Sequence, residues 1–272
     1  MTPIRTLALA IALALPAAQV FATDKASGHY RMDDQRFEVR HGVAVRLWKD
    51  AGRETFGVVL GEGPFDATAA KGALDPLEAI AESAPRDSGS LRLRVRRGFE
   101  GALKISSLIA QSGSPIPNRN GNEEIAVDGD RIRGEWVKPS TEFMDTSYEI
   151  TLRFNLPLVE IVDPGKPLPA DGGEPGNAYR AFVEAVGKRD AKAMIARMSM
   201  PADMVEMIGE ESLLEILATN HPASPEILGG WIDGDRAQLR VRGKHTAGQT
   251  IHVAVELTKV DGAWKVGDSA LR

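Results

Sequence analysis

Val255–Ser269 reads VELTKVDGAWKVGDS: a strand, a tight Asp261-Gly262 turn, and a returning strand that carries Trp264. Asp-Gly is the turn chemistry whose backbone twist matches that of paired antiparallel strands. Upstream, Ile251, Val253, Val255 and Leu257 alternate with Thr250, His252, Ala254 and Glu256. Ala237, Leu239 and Val241 alternate in the same way with Gln238, Arg240 and Arg242, and Asp233-Gly234 supplies a second turn. A period of two sends the first set of each strand to one face and the second to the other. The C-terminal region is therefore expected to end in an antiparallel sheet with one apolar face.

Helices are predicted before that sheet. In NAYRAFVEAVGKRD, residues 177–190, Tyr179, Phe182, Val183 and Val186 fall at i, i+3, i+4 and i+7, the stripe of an amphipathic helix. Further helical segments are expected at 190–198, 201–208 and 211–219. Ahead of them stands DPGKPLPADGGEPG, residues 163–176, with four prolines and four glycines in fourteen positions. Proline stiffens such a stretch and glycine discourages regular pairing, so it reads as an exposed linker.

The region before the linker reads as β-rich. Tyr148, Ile150, Leu152 and Phe154 alternate with Glu149, Thr151 and Arg153, and Leu91, Leu93 and Val95 with Arg92, Arg94 and Arg96. Other strands are expected at 36–48, 55–61, 102–109, 123–127 and 130–137, and one short helix at 75–83. Many short strands with one polar face predict an antiparallel sandwich or barrel, the sandwich preferred. The fold class expected is thus two domains: a mostly-β, sandwich-like domain at 23–162 and, after the linker, an α+β domain at 177–272. The two DGDR copies at 128–131 and 233–236 read as hairpin turns, since their flanks do not match.

Helices followed by a curling antiparallel sheet, with AYRAFVEAVGKRDAKAMIARM at 178–198 and the closing VELTKVDGAWKV at 255–266, resemble the NTF2-like superfamily, in particular its small secreted bacterial members. The resemblance covers residues 175–272. Residues 27–157 are similar only to uncharacterised β-rich domains of bacterial secreted proteins. The resemblance implies a cone-shaped sheet wrapped across helices, with a pocket at its open end. Some members are isomerase-like or cyclase-like enzymes, and many only bind. Matching the helix break at Asp190 to the isomerases places Phe182 where their oxyanion-binding tyrosine stands, and a phenyl ring cannot donate that hydrogen bond.

Composition sets the address. Arg5, an apolar run from Leu7 to Leu15, then Pro16 and small residues up to Ala22 have the order of a secretory signal peptide, cleaved after Ala22. That run is too short to span a bilayer. The chain has no cysteine, so neither a lipid anchor nor a disulfide framework is available. Losing residues 1–22 removes Arg5 and no acid, taking the net charge from −5 to −6. Mild acidity speaks against nucleic acid as a partner. A periplasmic or secreted location is expected.

Four residues are candidates for a pocket in the cone: Tyr179, Trp231, His245 and Trp264. His245 shares the parity of Leu239 and Val241 and could titrate near neutral pH at the pocket mouth. A bulge at Gly243 would reverse that parity. The three aromatic residues offer large, partly polar surfaces, the usual wall of a small-molecule site, although core filling is their commoner role. Five of the eight methionines, Met194 to Met207, lie within fourteen residues. They could pack the helices, form an adaptable partner surface or hold Cu(I), core packing being the commonest of the three. Arg92, Arg94, Arg96 and Arg97 form a basic stripe that reads as a solvated strand face or an anion-receiving surface. The five histidines lack zinc spacing, and no nucleophile elbow or P-loop occurs.

The sequence therefore predicts an exported, non-catalytic binding or accessory protein without cofactor or metal, taking a small apolar ligand or an envelope protein partner. The resemblance also implies that two copies could pair through their exposed sheet faces, as NTF2-like sheets often do. The alternatives are an isomerase or cyclase-type enzyme using His245, and an envelope inhibitor or immunity-type protein.

Overall fold

The computed structural model describes residues 25–50, 53–98, 101–110, 116, 122–143, 146–245 and 248–271. The segment expected as a signal peptide, 1–22, and all of the polar loop 111–121 except Ile116 lie outside the described residues. The described chain is mostly β, with two sheets that share no strand.

The first sheet contains β1 (Lys25–Met32), β2 (Gln35–Val39), β3 (His41–Asp50), β4 (Arg53–Gly61), β5 (Ser90–Arg97), β6 (Leu103–Ala110), β7 (Asn122–Asp128), β8 (Arg131–Phe143) and β9 (Thr146–Glu160). Strand β9 is its spine. Tyr148, Ile150, Leu152, Phe154 and Leu156 are buried, while Thr151, Arg153 and Asn155 are exposed, as alternation requires. Its residues 148–155 pair antiparallel with β1, and residues across 146–157 pair with β8. Leu158–Glu160 then run parallel to Ala44–Arg46 of β3. Two leaves, β2-β1-β9-β8-β7 and β9-β3-β4-β5-β6, are thereby joined along one strand. Tyr30, Ile132, Trp136 and Ile150 from the first leaf and Phe56, Leu60 and Leu93 from the second share one buried cluster, so the leaves face each other.

The stretch expected as a single strand at 36–48 is two. The chain breaks at Arg40, with β2 pairing β1 in one leaf and β3 pairing β4 in the other. Periodicity cannot see such a change of partner, because both strands keep their apolar alternation.

The outer face of the second leaf is covered as well. Helix α1 (Pro76–Glu82) begins where the Asp75 side chain accepts hydrogen bonds from the Leu77 and Glu78 amides at 3.0 and 3.3 Å, with proline in the first turn. Leu77 and Ile80 pack on Val45 and Val59. Gly57 makes the approach close: a Cβ there would stand 2.2 Å from Leu77 Cδ2.

The second sheet runs β10 (Lys166–Pro167), β11 (Glu226–Asp233), β12 (Arg236–Lys244), β13 (Thr250–Val260) and β14 (Ala263–Leu271), in that order across the sheet. Between β10 and β11 lie α2 (Gly173–Gly187), α3 (Ala191–Ile195), α4 (Ala202–Ile208) and α5 (Glu210–Asn220). The stripe of Tyr179, Phe182, Val183 and Val186 is buried against Leu239, Val241, Val255 and Leu257. Asp261 and Gly262 take φ of 52° and 78° in the β13–β14 turn, the left-handed pair an Asp-Gly hairpin needs. Bulges at Ile227/Gly229 and Val255/Leu257 add local twist to the sheet.

The proline- and glycine-rich segment is built into this unit. Lys166 and Pro167 pair with Ile232 and Trp231, the Leu168 amide donates to Gly230 O at 3.0 Å, and α2 starts at Gly173 with Pro175 buried. Proline suits the first turn of a helix, where its missing N–H costs nothing. The methionine cluster divides. Met194 and Met198 are core, whereas Met204 and Met207 are 42% and 75% exposed. Among the described residues no helix is long and apolar enough to cross a membrane.

Candidate functional site

The space between the helices and the second sheet is filled by side chains. Tyr179 and Phe182 are fully buried, and their rings stack with centroids 6.3 Å apart. His221, at the end of α5, closes the layer, with its imidazole edge-on to Phe182 at 5.2 Å. The Tyr179 hydroxyl lies 3.1 Å from His221 Nδ1, and Ser269 Oγ lies 3.4 Å from Nε2. Burial pushes the imidazole down to about 4 and raises the Tyr179 phenol. A ring held neutral by desolvation is a weak base, which makes this chain of polar groups a satisfied core network rather than a proton-abstracting one. Trp264 belongs to the same interior. Its Nε1 points at Glu174 Oε2, 3.4 Å away, and Lys259 Nζ sits 5.7 Å from the ring centroid.

The other two candidates lie elsewhere. Trp231 is the cross-strand partner of Gln238, so it points from the sheet face opposite the helices. There it meets Gly72 of the first half, and its buried Nε1 has no hydrogen-bond partner. His245 follows the last residue of β12 in the β12–β13 turn, where its amide donates to Gln249 O at 2.7 Å. Parity does not carry past the end of the strand, and the ring stands at the rim, half-buried. The structure therefore brings Tyr179 and Trp264 into one interior, sets Trp231 behind the sheet and leaves His245 at its edge.

That outer face of the second sheet is covered by the first half of the chain. Gln238, 3% exposed, donates from Nε2 to Gly72 O at 3.1 Å. Arg240 grips Asp163 through two hydrogen bonds of 3.0 Å, the fork geometry that makes arginine–carboxylate pairs specific. Arg94 Nη1 reaches Leu271 O at 3.4 Å, and Trp48 stacks on His252 with centroids 5.8 Å apart. The face through which two copies were expected to pair is thus occupied by the chain itself.

Contact across this face is incomplete, and what remains is a cleft. A bulge between Arg46 and Trp48 shifts the β3–β4 register, so that Trp48 stands opposite Thr55 and aims at the second sheet. Three chambers surround this tryptophan. The narrow one, about 270 Å³, is walled by Phe56, Gly72, Ala73 and Gln238 and by the charged groups Arg46, Glu54, Glu160, Asp163 and Arg240. These charges pair among themselves: Arg46 binds Glu160 at 2.7 Å and Glu54 at 3.2 Å, and Arg240 binds Asp163. A smaller chamber of about 210 Å³ lies between Leu47 and Trp48 on one side and Leu228, Val241 and Val253 on the other. The wide chamber, about 490 Å³, has Arg96, Arg242, Lys244 and Glu226 on its wall, together with Thr55, Ser224 and Thr250.

Sequence reasoning passed over Trp48, Asp163, Arg240, Arg242 and Lys244. The alternation in β12 had assigned Arg240 and Arg242 to the polar face, which is correct, and nothing local tells a polar face in water from one against a second layer. The basic stripe of β5 shows the same. Arg92 pairs with Glu78 at 3.2 Å and Arg94 with Asp75 at 2.7 Å, both under α1, while Arg97 lies 3.8 Å from Glu54. Among the described residues no group of three histidines and acids is placed to hold a metal ion. In comparison with known proteins, no family model and no curated protein sequence matches this chain.

Proposed function

We propose that the chain is an exported, non-catalytic binding or accessory protein whose ligand or partner sits in the cleft between its two sheets. In this reading residues 1–22 are a cleaved signal peptide and the mature protein is periplasmic or secreted. Residues 23–162 form a sandwich-like β domain, and residues 177–272 an NTF2-like α+β domain. The observation that carries the reading is the cleft around Trp48. It is concave, has an aromatic side chain at its waist, and gathers charged and hydroxyl groups from both halves that can orient a polar ligand. The interior of the helix–sheet layer supports binding less well, because Tyr179, Phe182 and His221 fill it. An isomerase or cyclase reading would need His245 facing a carboxylate inside that interior, and the residue stands at the rim instead.

The test is mass spectrometry of small molecules released from the gently purified mature protein, alongside Ala73→Phe, which fills the narrow chamber without removing any ion pair. A molecule retained by the natural protein and lost from the variant is the expected result. Equal retention by both moves the ligand out of the narrow chamber, and retention unchanged also by Trp48→Ala, which removes the side chain shared by all three chambers, ends the reading.

A further inference from the structure

We infer that the wide chamber of the cleft receives an acidic sugar, its carboxylate held by Arg96 and Lys244 and its ring laid against Trp48. This deepens the binding reading above and rests on it. Three cations and one acid stand on the chamber wall, in a chain whose formal net charge is −5. Local charge therefore opposes the global charge. The three cations are not equivalent. Arg242 is held by Glu226, whose Oε2 accepts from Nε at 3.0 Å and also from Nη2, so it is oriented and its charge is countered. Lys244 Nζ donates to Thr250 Oγ1 at 3.2 Å, which fixes the ammonium and leaves two of its three protons to give. Arg96 is exposed, and among the described residues it has no partner, although its stripe neighbours Arg92, Arg94 and Arg97 each have one.

Arg96 comes from β5 in the first sheet and Lys244 from β12 in the second, so they line one chamber only because the two halves pack together. A guanidinium without a partner and an ammonium anchored by a hydroxyl, both on the wall of one concavity, suit an anionic group such as a carboxylate. The remaining wall specifies more than an anion. Ser224 and Thr250 are hydroxyl partners suited to sugar hydroxyls, and the indole of Trp48, stacked on the His252 ring of the same wall, adds apolar surface for the C–H face of a pyranose. About 490 Å³ is far more than a single phosphate or carboxylate ion fills. A nucleic acid is disfavoured by the acidity of the chain and by the presence of a single aromatic platform.

Calorimetric titration of the mature protein at low salt tests this with four probes: galacturonate, tri-galacturonate, maltotriose and inorganic phosphate. The expected result is binding of one or both uronates with no binding of maltotriose. A preference for the trimer marks the source as a polysaccharide, and equal affinity marks it as a free acidic sugar. Arg96→Ser and Lys244→Ser should each weaken the uronate about ten-fold, the loss of one charge-assisted hydrogen bond. Both positions are exposed, so the variants should fold, which a circular dichroism melt checks. The inference is overturned by equal binding of maltotriose, by phosphate binding as tightly as the uronates, or by uronate affinity indifferent to both substitutions. Failure here combined with a neutral molecule lost on Ala73→Phe would leave the cleft as the binding site and remove only its acidic ligand.

Discussion

Acidification should weaken the fold through His221 by an amount that its burial sets. The imidazole is 4% exposed, and desolvation pushes it from an ordinary 6.5 down to about 4. Above pH 6.5 the ring is neutral in folded and unfolded chains alike and contributes no pH dependence. Between 6.5 and 4 the unfolded chain binds a proton that the folded chain refuses, so stability falls as pH falls. With about 1.4 kcal/mol per pKa unit, the loss relative to pH 7.5 is about 2 kcal/mol at pH 5 and about 3 kcal/mol at pH 4, after which it levels off. Carboxylates held low by ion pairs, such as Glu149 beside His29 and Arg31, also lose stability in acid, so the measurement must be differential. Urea unfolding followed by tryptophan fluorescence at pH 7.5, 5 and 4 would compare the natural protein with His221→Asn. At pH 7.5 the variant should be less stable by about 1–3 kcal/mol, because the Tyr179 hydroxyl loses its partner. The gap should close by about 2 kcal/mol at pH 5, since the variant has no ring to protonate. Tyr179→Phe should keep the natural slope, because burial and not the phenol sets the shift. Parallel pH profiles for the natural protein and His221→Asn would refute the assignment.

Other perturbations bear on how the two halves are joined and packed. Arg240→Ala should cost about 1 kcal/mol, modest because Arg240 and Asp163 are 36% and 27% exposed, and Asp163→Asn should cost no more; a double-mutant cycle in urea measures their coupling. Gly57→Ala should destabilise by about 1–3 kcal/mol as the new methyl meets Leu77, and Leu77→Ala in the same chain should recover part of that loss, read from thermal midpoints. Trp231→Phe removes a buried N–H that has no acceptor, so stability should stay level or rise by up to about 1 kcal/mol despite the smaller ring. A loss above about 3 kcal/mol there would mean that ring packing against Gly72 outweighs the polar term.

Much of the local structure was readable from residue order. The alternation in β9, β5, β12 and β13 predicted which side chains face the apolar interiors, although Gln238 and Ala254 of the opposite set are buried as well, and Asp261-Gly262 and the α2 stripe marked a turn and a helix face where they occur. The proline-rich segment misled for a specific reason. Composition reports that a stretch is poor at pairing with itself, but Lys166 and Pro167 pair with a strand more than sixty positions away. The switch of partner at Arg40 and the joining of two leaves along β9 are likewise decided by distant residues. The candidate site divides in the same way: Tyr179 and Trp264 lie in one buried interior, whereas His245 lies past the strand whose parity was used to aim it, and Trp231 points from the opposite face.

By itself the order of residues determined which faces are apolar and where hairpins turn, since each follows from neighbours a few positions apart, and its lack of cysteine excluded a disulfide among these residues. Only the tertiary structure decided that the polar face of β12 lies against the first half of the chain, that a bulge turns Trp48 toward it, and that Arg96 and Lys244 share one chamber. A period of two states which way a side chain points and is silent about what stands opposite. That depends on contacts between residues far apart in sequence, whose packing no local pattern encodes.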